Sequence, residues 1–76
     1  VKAVWKDGKT YEGETSDELV LAMLRDHPFT ADMGAAMYRR AVAMRAKMYR
    51  KTTIRHSDST VFLIDLATAG YVTVTA

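Results

Sequence analysis

Apolar and polar positions change period several times along this chain, and each change marks an element. "VKAVWKDGKTYEG" sets Asp7-Gly8 between two short runs holding Val4, Trp5, Thr10 and Tyr11. Such a dipeptide between β-prone runs signals a hairpin with both central turn residues at positive φ, so strands are predicted near 2 to 6 and 9 to 13. In "TSDELVLAMLRDHP" the apolar positions Leu19, Val20, Met23 and Leu24 follow helical spacing. Thr15 and Glu18 stand at the interval of a capping box, Asp17 adds an acid to the first turn, and Pro28 pushes His27 out of the helical region.

A second helical pattern restarts in "FTADMGAAMYRRAVAMRAKMYRKT", with Thr30 as the expected N-cap and Asp32 at the positive end of the dipole. Alanine, methionine and arginine favour helix, and a helix over 30–51 would run roughly 30 Å at about 1.5 Å per residue. The last stretch, "HSDSTVFLIDLATAGYVTVTA", reads in two ways. Ser57 or Asp58 caps a helix that ends at Gly70 and is followed by a strand over 71–75. Otherwise "TVFLIDL" is itself a strand and the tail a second hairpin. Cap, length and Gly70 agree on the helix, so that reading is preferred.

The predicted order is therefore β-β-α-α-α-β, a single α+β domain over 1–76. An isolated hairpin is marginal, so the C-terminal strand, with Val72 and Val74 facing one way, joins it in a three-stranded antiparallel sheet packed against three helices. No repeat, low-complexity stretch or linker suggests a second domain.

On a helical wheel, Met37, Ala41, Met44 and Met48 fall together, and Tyr38, Val42 and Tyr49 widen them to an arc of about 160° that is expected to pack inward. Arg39, Arg40, Lys47, Arg50 and Lys51 fall opposite. Arg45 lies in the middle of the arc, where a guanidinium needs a partner. Asp65 interrupts "VFLIDLA" in the same manner, so an Arg45–Asp65 ion pair between the long helix and the last one is expected. Methionine also recurs on surfaces that mould to partners, and an exposed stripe at Met33, Met37 and Met44 is the competing reading.

Charge changes the picture more than composition does. The net charge is only +2, yet residues 33–57 hold seven cations and no acid, while residues 1–32 hold four cations against seven acids. A solvated helix face ordinarily mixes signs through i,i+4 pairs; this one has none of the opposite sign. Small chains commonly supplement a thin core with disulfides, a metal or a partner, and with no cysteine among 76 residues the partner is the expected route. The lack of thiols suits a reducing compartment, so a cytoplasmic location is expected, and no apolar run is long enough to span a bilayer.

Candidate chemistry is thin. The "HSDS" run at 56–59 places adjacent side chains that diverge, whereas a nucleophilic triad needs convergence from separate segments. Asp26, His27 and Asp32 have helix-end and pre-proline roles that account for them without a metal. The glycines at 8, 13, 34 and 70 are scattered, so no phosphate loop forms. No catalytic site, metal, cofactor or small-molecule substrate is expected, nor a cleft-forming second layer.

The expectation is a small non-catalytic accessory or inhibitor protein. It would dock a protein with an acidic surface, or a second copy, through Arg39, Arg40, Lys47, Arg50 and Lys51. The alternative is a sequence-tolerant nucleic-acid binder using the same face. Against it, the tyrosines are expected to turn inward, and the helix pair around Pro28 lacks the glycine turn of a helix-turn-helix.

Overall fold

The computed structural model describes residues 1–75. The elements follow the expected order: β1 (Lys2–Trp5), β2 (Thr10–Glu12), α1 (Ser16–Arg25), α2 (Ala35–Arg50), α3 (Ser59–Thr68) and β3 (Val72–Thr75). β1 is the central strand, antiparallel to β2 on one side and β3 on the other, with Ala3 opposite both Tyr11 and Val74 and Trp5 opposite Val72. Segment 60–66 is helical, as the cap and glycine signals required.

The hairpin turn departs from expectation in one respect. Gly8 takes φ +93°, but Asp7 does not share it. The Gly8 N–H donates to the Trp5 carbonyl at 2.9 Å and the Trp5 N–H to the Lys9 carbonyl at 2.8 Å, which makes a three-residue loop closed by a glycine bulge. At α1, Thr15 accepts from the Glu18 N–H as a capping box requires, but the Glu18 carboxylate accepts from the Glu14 N–H, one residue before the cap. α3 is capped by Asp58, which accepts from the Val61 N–H at 2.8 Å. It ends with Gly70 at φ +86°, while the Tyr71 N–H reaches the Leu66 carbonyl and the Gly70 N–H that of Ala67, so both last-turn carbonyls are satisfied.

α2 is shorter than predicted and starts at Gly34, not at Thr30. The Thr30 hydroxyl is buried and donates to the Leu24 carbonyl at 2.6 Å, closing the end of α1 instead of opening α2. Residues 27–33 fold into successive turns on the His27 and Thr30 carbonyls, which leaves Asp32 outside any helix.

The core joins Leu19, Val20, Met23 and Leu24 of α1 to Phe62, Leu63 and Leu66 of α3, closed below by Ala3 and Val72 and at the side by Ile54. From α2 it receives Tyr38, Ala43 and Ala46, and the Tyr38 ring meets Phe62 edge-on at 6.3 Å. The expected inward arc of α2 is thus displaced by roughly 110° about the helix axis, at about 100° per residue. Small residues set this orientation: Ala43 and Ala46 let the backbone approach its neighbours closely, which a wall of methionines would prevent.

Candidate functional site

Turning α2 about its axis exposes what the wheel had placed inside. Met37, Met44, Met48 and Tyr49 are 62%, 54%, 69% and 78% exposed, and they make up half of the eight large apolar residues left in water among the described residues. Single exposed apolar residues are ordinary; four on one helix are not. Met37, Ala41, Met44 and Met48 follow a 4-3-4 spacing, the interval at which one helix presents a seam to another. Arg40 and Lys47 border this seam on one side and Arg45 on the other, all three exposed.

Of the five cations expected on the outer face, Arg40, Lys47, Arg50 and Lys51 are exposed, but Arg50 turns toward the sheet and lies over the Tyr71 ring. Arg39 is not exposed. It is buried, with its Nε donating to the His56 carbonyl at 3.1 Å, Nη1 to the Ser59 hydroxyl at 3.2 Å and Nη2 to the Ser57 carbonyl at 3.5 Å. Arg39 therefore anchors the loop before α3 to α2 and is withdrawn from the docking set. Hydrogen bonds from a charged donor stabilise by about 1.5–3 kcal/mol each, net of the hydration they replace.

The expected Arg45–Asp65 pair does not form. Arg45 is exposed, and Asp65 is claimed by Arg55, whose Nη2 lies 2.8 Å from Oδ1 and whose Nε and backbone N–H donate to Oδ2 at 3.0 and 2.8 Å. The forked guanidinium and the backbone N–H together hold the Asp65 carboxyl down to about 2. Asp65 rims the core, with only 16% of its side chain exposed, and it ties the 51–58 crossover to α3. Arg45 turns outward with the methionines of the predicted arc, and Arg55, outside any helix or strand, carries no periodic signal that names it.

Among the described residues the ion pairs are Arg55–Asp65 and a longer Lys9–Asp26 contact at 3.6 Å, so no carboxylate compensates the α2 cations. The Tyr11 hydroxyl donates to Asp26 at 2.7 Å and, with Lys9, lowers the carboxyl of Asp26 below the usual range. Burial, reinforced by that same bond, pushes the Tyr11 phenol up. This tie fastens β2 to the end of α1 and had no signature in the sequence.

A cleft of about 440 Å³ opens between α2, the loop after α1 and one end of the sheet, contrary to the expectation that no second layer would form one. Buried Met23, Ala46 and Leu66 lie at its floor, half-buried Trp5 and Tyr71 on the sheet side, and exposed Arg45 and Arg50 at its mouth. The Trp5 Nε1 and the Tyr71 hydroxyl are buried with no hydrogen-bond partner among the described residues. Each such group costs about 1–3 kcal/mol, and the two share one cleft. The Arg50 guanidinium rests over the Tyr71 ring, 5.6 Å from its centre.

No helix among the described residues is long and apolar enough to cross a membrane. Comparison of the chain with protein-family models, with curated proteins and with solved structures finds no match.

Proposed function

We propose that this chain is a non-catalytic binding protein that docks an acidic protein partner along the outward face of α2. The observation that carries the reading is the methionine seam Met37–Ala41–Met44–Met48, bordered by Arg40, Arg45 and Lys47 with no carboxylate among the described residues to neutralise them. Methionines adapt to the surface they meet, and the flanking cations select for acidic edges and speed encounter. A seam of this spacing fits an amphipathic helix whose border positions are Asp and Glu.

The test is capture from nuclease-treated lysate, followed by direct binding of each captured protein in purified form. Wild-type protein retains a defined partner, and both Met44→Ser/Met48→Ser and Arg40→Glu/Lys47→Glu lose it while remaining folded. Retention of the same proteins by both double variants removes the reading.

One observation favours a second reading. Tyr49 faces solvent instead of the core, and Phe29 is 84% exposed, so aromatic faces do stand near Arg45 and Arg50. Single-strand binders combine such faces with cations. Affinity for an oligonucleotide would then fall steeply with salt and survive Met44→Ser/Met48→Ser, the reverse of the protein-docking result.

A further inference from the structure

We propose that the cleft between α2 and the sheet is a binding site for a small carboxylate with an apolar body. Its volume of about 440 Å³ falls within the range of roughly 300–1,000 Å³ typical of small-molecule sites. The chemistry is divided as such a ligand requires. Met23, Ala46 and Leu66 offer an apolar floor, while four of the donors that line the cleft meet no acceptor among the described residues.

Two of those donors are the guanidiniums of Arg45 and Arg50, which no carboxylate of the described chain meets. The other two are the Trp5 indole N–H and the Tyr71 hydroxyl, buried and unbonded. They belong to one corner of the sheet: the Lys6 N–H donates to the Tyr71 carbonyl, and Trp5 pairs with Val72. Asp7 is the one acid lining the cleft, and it already accepts from the Lys9 N–H at 3.0 Å. A carboxylate head therefore meets donors from both the helix and the sheet with little opposing charge, and a forked guanidinium matches its geometry.

Arg50 is the movable part. It is exposed and stacked on the Tyr71 ring, so its swing off that ring uncovers the sheet corner and brings its own charge to the head. The tail then lies on the floor.

Trp5 is the only tryptophan, which gives the site a single indole N–H resonance as reporter. Titration of ¹⁵N-labelled protein with decanoate moves that resonance downfield, saturably. Arg45→Gln/Arg50→Gln weakens decanoate about tenfold, the effect of losing a charge-assisted pair. Decanol, with the same tail and no charge, binds wild type and variant alike. Met44→Ser/Met48→Ser, outside the cleft, leaves decanoate binding unchanged, so this result stands apart from that for protein docking. An indole resonance unmoved by millimolar decanoate overturns the proposal, as does a double arginine variant that binds decanoate as tightly as wild type.

Discussion

At the scale of single residues, the decisive groups are those whose partners lie far away in sequence. The sequence marks Asp65 as an acid needing a cation, but its cation comes from the crossover loop, ten residues before it. The pairing has a measurable pH signature. Because the folded Asp65 carboxyl titrates at about 2 against an ordinary 3.8, the unfolded chain takes up the proton first as pH falls. The Arg55–Asp65 contribution to stability is therefore complete above about pH 5 and is lost as pH falls from about 4 to about 2. Asp26, also lowered, adds to the same slope. Urea midpoints of wild type should drop through this window, and Asp65→Asn should start lower and show a shallower drop; an equal drop in both would show that Asp65 does not titrate as described. Gly13 is another residue legible only in three dimensions. A Cβ there would lie 2.6 Å from the Leu19 nitrogen, yet nothing in "YEGET" distinguishes this glycine from an ordinary turn residue.

At the scale of elements, local signals were sufficient wherever the information was local. The box at Thr15 and Glu18, the Asp58 cap and Gly70 each act within a few residues, and α1 and α3 lie where those signals put them. α2 failed on both counts that are not local. Its start depended on whether Thr30 would cap the new helix or close the old one, and Leu24 won that competition. Its inward face depended on closeness of approach, for which Ala43 and Ala46 count and methionine hydrophobicity does not. The candidate site was thus half legible: Arg40, Lys47, Arg50 and Lys51 are cations of the predicted face, and exposure of Met37 and Met44 is the competing sequence reading, whereas the extension of the seam to Met48 without Met33, and the cleft, followed only from the orientation of α2. The true start of α2 is also its weak point. Gly34 has extended φ −72° and ψ 158°, makes no side-chain cap, and has open space where a Cβ would go. No acid occupies the first turn. Gly34→Asp supplies cap, charge and a stiffer unfolded chain together, and should stabilise by about 0.5–1 kcal/mol in urea denaturation. No gain would mean that the 27–33 turns, not the cap, fix the helix start.

At the scale of the whole molecule, an uncovered seam raises the question of why the chain would not cover it with itself. Two copies meeting seam to seam set Arg40 of one against Arg45 of the other when parallel, and like against like when antiparallel. Either arrangement brings cations together beside a short apolar contact, so self-pairing is opposed by charge and not by shape. Screening removes that opposition, since the Debye length falls from about 10 Å at 0.1 M salt to about 3 Å at 1 M. Sedimentation equilibrium should therefore find monomer at low ionic strength and increasing dimer as salt is added. Arg45→Glu should act at low salt as salt does on wild type: Arg40 of one copy then faces the substituted position of the other, five residues further along a parallel pair, and attraction replaces repulsion. An Arg45→Glu protein no more dimeric than wild type would show that the seam cannot pair with a helix of its own kind even when the charges permit it, and would move the docking contact away from Met37, Met44 and Met48.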